Sequence, residues 1–226
     1  MHSVSFFVRS WVVFCVSFYA VSQAPQLLRG ETPEWQSLFN GKDLSGWQAD
    51  RHPANFTVVD GTLRACGTDG MSHLFYAGDT DSFVPLKNFE LEVVCRGEKN
   101  SNSGIFFHTS HELRKGRYLN EGYELQLNSS DREKRKTGSL YAVKDLAESP
   151  VDETSWFTVR LRVEGKRIQV WLNDTQTQDY TEPENPVREP GREKRLIDPE
   201  GGAIALQAHD PESTFYFRSI RLKRLP

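Results

Sequence analysis

The segment Gly122-Tyr-Glu-Leu-Gln-Leu-Asn128 alternates apolar and polar residues. In an extended strand Tyr123, Leu125 and Leu127 share one face, and Glu124, Gln126 and Asn128 share the other. An ordinary solvated face carries Lys, Glu or Thr, and that remains the plain alternative for this one. A row of Glu, Gln and Asn instead offers directional donors and acceptors suited to sugar hydroxyls. Gly202-Ala-Ile-Ala-Leu-Gln-Ala-His209 has the same form. Ile204 and Leu206 face one way, while Ala203, Ala205, Gln207 and His209 face the other, so small side chains leave room for a ligand and Gln and His then touch it. Gly104-Ile-Phe-Phe-His108 sets Phe106 and His108 on a shared face. Aromatic rings pack on the C–H faces of a sugar while carboxamides bond its hydroxyls. One histidine in such a strand is ordinarily structural; three polar strand faces together shift the reading towards a carbohydrate site.

These residues need strands to position them, and the pattern supplies strands. Asn88–Cys95 puts Phe89, Leu91 and Val93 against Glu90 and Glu92. Trp156–Val163 opposes Phe157, Val159, Leu161 and Val163 to Thr158, Arg160 and Arg162, and Glu164-Gly-Lys166 turns the chain into the alternating run Arg167–Leu172, a hairpin signal. Thr214–Leu222 repeats the pattern with Phe215, Phe217, Ile220 and Leu222, interrupted by one register change. Further strands are expected near 56–60, 62–66, 73–76, 103–109, 121–128, 138–142 and 202–208. Beyond the N-terminus no run longer than about eight residues keeps a 3.6-residue period. Short period-2 segments divided by turns predict an all-β antiparallel sandwich or barrel. The polar segment of about 177–201 carries Pro183, Pro186, Pro190 and Pro199 and reads as a long surface insertion, with flexibility its simplest explanation.

The chain has 226 residues, 37% hydrophobic and 26% charged, which suits one globular domain with a sizeable core. Lys+Arg is 28 and Asp+Glu is 31, for a net charge of -3. Nucleic-acid binding needs a concentrated basic footprint, so no nucleic-acid partner is expected. Residues 1–22 differ from the rest: Arg9 precedes an uncharged run from Trp11 to Val21, and Ala20-Val-Ser22 sets small residues where signal peptidase reads. The run is too short to span a bilayer and is expected to be a signal peptide, leaving no stable membrane span and a secreted or periplasmic protein. Residues 23–34 read as a lead-in and 35–226 as a single domain. Cys66 and Cys95 could form one disulfide in an exported protein, or each could be a small buried hydrophobe.

The wording of several segments, in order, is specific as a set. Ser37-Leu-Phe-Asn-Gly-Lys-Asp-Leu-Ser-Gly-Trp47 is followed by Asn102-Ser-Gly-Ile105, Gly122-Tyr-Glu-Leu-Gln126 and Thr137-Gly-Ser-Leu-Tyr141. Ile204-Ala-Leu-Gln-Ala-His209 and Phe217-Arg-Ser-Ile-Arg-Leu222 close the set. Over residues 35–225 the chain resembles the 3-keto-disaccharide hydrolase family, described as 3-keto-glucoside 1,2-lyase and 3-keto-2-hydroxy-glucal hydratase. The resemblance implies a concanavalin-like jelly roll of two packed antiparallel sheets in an exported bacterial protein. Two positions depart from the family pattern: His108 stands where members often carry Arg, and Ala208 where many carry Asp.

Retaining glycosidases need two carboxylates about 5–5.5 Å apart. Here position 124 is Glu, but 126 and 128 are Gln and Asn, which disfavours ordinary retaining hydrolysis. A 3-keto sugar needs less, because its ketone acidifies the C2 proton and one base can start elimination of the C1 substituent, with a donor or a metal for the enolate. The expected roles are Glu124 as general base, His209 as acid or oxyanion partner, and His108, Gln126, Gln207 and Asn128 as sugar-binding residues. No cofactor is required by any motif. A divalent metal is compatible with His and carboxylate ligands, although no metal motif is present. The expected substrate is a 3-keto sugar or other carbohydrate, cleaved by 1,2-elimination and hydration or hydrolysis. A non-catalytic carbohydrate-binding module and a structural β-sandwich are the alternatives.

Overall fold

The structure is a computed structural model that describes residue 1 and residues 34–78, 83, 85–110 and 118–226. The expected signal peptide and nearly all of the lead-in lie outside the described residues. The strands are β1 (Gln36–Ser37), β2 (Trp47–Ala49), β3 (Phe56–Val59), β4 (Thr62–Cys66), β5 (Ser72–Tyr76), β6 (Phe89–Gly97) and β7 (Asn102–Thr109). They continue with β8 (Tyr123–Asn128), β9 (Phe157–Glu164), β10 (Arg167–Leu172), β11 (Thr175–Thr181), β12 (Ala203–Ala208) and β13 (Thr214–Arg224). A 3-10 turn at Pro53–Asn55 is the only helical element among the described residues, and none of these residues forms a helix long and apolar enough to cross a membrane.

One sheet runs β11-β10-β9-β6-β13-β4-β3 with β1 added on β13, and the second runs β2-β5-β12-β7-β8. Every ladder is antiparallel. This is the expected concanavalin-like jelly roll. The alternations seen in the sequence explain the packing. Phe89, Leu91 and Val93 of β6, Phe157, Val159, Leu161 and Val163 of β9 and Phe217, Ile220 and Leu222 of β13 join Ile105, Phe107, Tyr123, Leu125, Leu127, Ile204 and Leu206 of the second sheet in one buried cluster. Each fully buried Phe or Leu contributes roughly 1.5–3 kcal/mol. The polar alternates of the larger sheet face outward and pair across strands, as Arg162 does with Glu90 and Arg221 with Glu92.

The β9–β10 hairpin forms around Gly165 and Lys166, and the register change in β13 falls between Phe217 and Ser219. Two local expectations need correction, and the alternative left open for the cysteines is decided. Residues 138–142 are not a strand; Leu140 alone makes single bridges, to Leu125 and Lys144. The supposed insertion begins as strand β11, whose Gln178 is buried and bonds the carbonyls of Gly138 and Lys144. Cys66 and Cys95 are both free and buried. They sit on β4 and β6, with β13 between them. Two strand spacings of about 4.8 Å exceed the ~7 Å limit for a bridged pair.

Candidate active site

The outer face of the second sheet, rather than its inner face, carries the chemistry. Register sets it out in rows. Glu124 lies opposite Phe106, Phe106 opposite Ala205, and Ala205 opposite Phe75. In the next row Gln126 lies opposite Gly104, and Gln207 opposite His73. Gly104 matters because it has no side chain: a Cβ there would stand 3.0 Å from Glu124 Oε1 and 3.2 Å from its Cγ, so the glycine opens the space into which the carboxylate leans.

This face is buried, not solvated. Glu124 is 7% exposed, Gln126 1% and Gln207 3%. Among the described residues two long segments cover it, and Tyr118 and Leu119 add to the cleft wall. Residues 129–145 are stitched to the free edge of β8 by backbone bonds, Gln126 N–H to Ser139 O, Gly138 N–H to Gln126 O and Tyr141 N–H to Glu124 O. The polar segment 182–201 forms an arm across the same end. Its base is a buried network in which Arg188 donates through Nη2 to Tyr123 Oη (2.8 Å) and through Nε to the Arg195 carbonyl (2.7 Å). Tyr123 donates to Glu182 Oε2 (2.6 Å), which also accepts from Ile197 N–H (2.8 Å).

The arm delivers Arg195, 2% exposed, onto Glu124: Nη2 donates to Oε2 at 2.9 Å, and the guanidinium lies 5.4 Å from the Phe106 ring centroid. Burial pushes the Glu124 carboxyl above the usual carboxylate range; Arg195 is the strongest opposing influence, followed by His73 and His209. The result is a cleft of about 400 Å³, its open mouth included. Phe106, Leu119 and Tyr141 give it apolar walls, and Glu124, Gln126, Asn102, Arg195, Gln207 and His209 give it polar ones. Several of these groups keep unmatched polar atoms: Arg195 Nε and Nη1, Gln126 Oε1 and Gln207 Oε1. Buried polar atoms are nearly always bonded, so such a cluster on one cleft marks a place for a polar ligand.

The structure brings together Glu124, Gln126, Gln207 and His209 of the expected set. His209 is partly exposed and its Nδ1 meets Asp210 Oδ2 at 2.7 Å, so the residue after the histidine, not the one before it, supplies the carboxylate that orients the ring. Asn128 and His108 stand elsewhere. The Asn128 amide donates to the carbonyls of Glu133 and Arg135, and its Oδ1 accepts from the N–H and hydroxyl of Ser130. It shapes the covering loop and does not line the cleft. His108 has φ 53°, which breaks the alternation after Phe107. Its ring stacks at 6.2 Å on the core Phe89, with its nitrogens at 3.0–3.2 Å from the carbonyls of Lys87 and Asp198. Phe106 and His108 therefore do not share a working face.

Arg195, Arg192, Tyr141 and Asn102 are cleft residues that strand periodicity did not single out. The available signal for the two arginines was length, since an irregular segment of more than about 12–15 residues in a compact domain is usually functional. Asp50 and His73 form a further buried pair behind Phe106, with Nδ1 to Oδ2 at 3.1 Å and the ring edge-on to Phe106 at 5.1 Å. Among the described residues no group of three or more His, Cys, Asp or Glu side chains could hold a metal ion. Glu124 is engaged by Arg195, and Glu133 by Tyr141 and Arg135. These residues do not fit a divalent cation.

Comparison with known proteins agrees with this architecture. A crystal structure of a candidate glycosyl hydrolase from Parabacteroides distasonis superimposes with a TM-score of 0.68 at 21% identity, covering 85% of this chain and 94% of that one. A carbohydrate-binding module, CBM66 of Bacillus subtilis, superimposes with a TM-score of 0.52 at 13% identity, covering 79% and 96%. These likenesses show the fold. A 3-keto-disaccharide hydrolase of Bacteroides thetaiotaomicron is 36% identical over 75 residues, which span 31% of this chain and only 26% of that protein. Residues 34–223 match the family model described as a 3-keto-alpha-glucoside-1,2-lyase-like domain, and the chain belongs to that family.

Proposed function

We propose that the protein cleaves 3-keto-glycosides by eliminating the C1 substituent and then hydrating the product, with Glu124 as the base. The observation that carries the reading is a single buried acid beside donors and carboxamides. Glu124 has its pKa raised by burial, while the other acid of the cleft, Glu133, is engaged by Tyr141 and Arg135. Retaining hydrolysis needs two working carboxylates; a proton transfer from C2 needs one. A base whose pKa is raised above the ordinary carboxylate range is a stronger proton acceptor for that task.

In the first half-reaction Glu124 takes the C2 proton, the C1–O bond breaks, and its electron pair leaves with the aglycone oxygen. Negative charge builds on the C3 ketone oxygen, and the unmatched Nε and Nη1 of Arg195 are donors suited to it. His209, oriented by Asp210 through Nδ1, would give the leaving oxygen a proton from Nε2 when its ring is charged. In the second half water adds at C1 and a proton returns to C2. Gln126 and Gln207 each have an Oε1 free to accept a sugar hydroxyl.

Glu124→Gln keeps the shape of the side chain and removes its basicity. It should lower turnover of a 3-keto-glucoside by roughly 10²-fold or more while calorimetric binding survives. Unchanged turnover in that variant would remove Glu124 from the mechanism. Sugar binding without turnover of any 3-keto-glycoside would leave a binding module.

A further inference from the structure

We propose that Arg192 gives this cleft a preference for 3-keto-glycosides whose leaving group carries a carboxylate; the inference rests on the reading above. The other cations on and beside the arm have carboxylate partners. Arg135 meets Asp145 and Glu189 at 2.8 Å each, Arg188 meets Glu182 at 3.7 Å, Lys194 meets Glu121 at 2.8 Å and Arg195 meets Glu124 at 2.9 Å. Arg192 is the exception on the cleft wall. Among the described residues it has no carboxylate partner, and its side chain bonds only the Gly191 carbonyl, at 3.3 Å through Nη1.

Arg192 is also held in place. Its N–H donates to the Glu189 carbonyl and its carbonyl accepts from Arg195 N–H, each at 2.9 Å, so both arginines stand on one hydrogen-bonded turn. Its guanidinium lies 5.5 Å from the centroid of the Tyr141 ring, another cleft residue. An arginine packed on an aromatic ring keeps its N–H fork oriented and loses less freedom on binding than a solvated one. Arg195 is buried and committed to the reacting end of the cleft, whereas Arg192 is half-exposed, at its mouth. In the proposed pose, with Glu124 at C2, the part of the substrate that departs from C1 projects past it. A carboxylate there would accept two parallel charge-assisted bonds from the fork, a close contact that no carboxylate of the described residues makes, although the charges of Glu124 and Glu193 act on Arg192 at longer range.

The test compares the 3-keto-glucosides of 4-hydroxybenzoate and 4-hydroxybenzamide, whose leaving groups have the same size and differ in charge. Wild type should favour the benzoate by about tenfold in kcat/KM, chiefly through KM. The ratio should shrink as salt rises from about 0.02 to 0.5 M. Arg192→Gln should bring it close to one, and Arg192→Glu should reverse it. A ratio that survives Arg192→Gln overturns the proposal. If neither compound is cleaved, the proposed reaction fails, and Arg192 is judged by calorimetry with the same two glycosides. An Arg192-dependent preference for the benzoate then supports the site, and equal Kd values overturn it.

Discussion

Glu124 is an acid whose surroundings pull in two directions. Burial raises its pKa and the Arg195 guanidinium lowers it, with burial the larger effect. A base must be deprotonated to work, so activity should fall as pH drops through a value above the ordinary glutamate range of about 4.3. Removing the opposing cation in Arg195→Met should move that acidic limb of kcat/KM to still higher pH. A limb at or below the ordinary range, or one that ignores the substitution, would contradict the assignment. At this scale much of the cleft was legible, because Glu124, Gln126, Gln207 and His209 follow strand alternation. Asn128 and His108 were misjudged for different reasons. Asn128 ends its strand, where the amide serves the next turn. His108 takes a left-handed φ that turns its ring towards Phe89, a local choice that period-2 patterning cannot register.

At the scale of elements, the arm decides whether the sheet face is a wall or a pocket. It has no regular structure of its own between β11 and β12, and is held instead by Tyr123, Glu182 and Arg188. Breaking that network should loosen the arm before it unfolds the sandwich. Tyr123→Phe deletes one buried hydroxyl, costing about 1–3 kcal/mol. It should speed hydrogen exchange at the Ile197 amide, which donates to Glu182, and lower kcat, while amides of the β9–β10 hairpin keep their protection. Unchanged exchange at Ile197 would show that the arm is held by something else. The strands were readable from the sequence because burial on one face imposes alternation. The arm was not, because its order comes from the Arg195–Glu124 ion pair and from the buried hydrogen bonds of Tyr123 with Glu182 and Arg188, partners far apart in the chain that leave no period.

At the scale of the molecule, two sheets share one apolar core, and the cleft occupies the outer face of the smaller sheet. The core is thus free to be apolar throughout while the chemistry sits on side chains that alternate away from it. We also propose that the protein is exported by residues 1–22, on the evidence of Arg9 followed by an uncharged run and small residues at 20 and 22. The N-terminus of the protein isolated from its native cell should then lie near Gln23 or Pro25; a protein beginning at Met1 would refute cleavage. The central claim is that the bond at C1 breaks only after C2 gives up its proton. Turnover of a 3-keto-glucoside in heavy water, followed by mass and NMR analysis of the 3-keto-glucose formed, tests this directly. Elimination and hydration should leave deuterium at C2, with the unoxidised parent glycoside untouched. Product formed by the enzyme with no label at C2 would contradict the account.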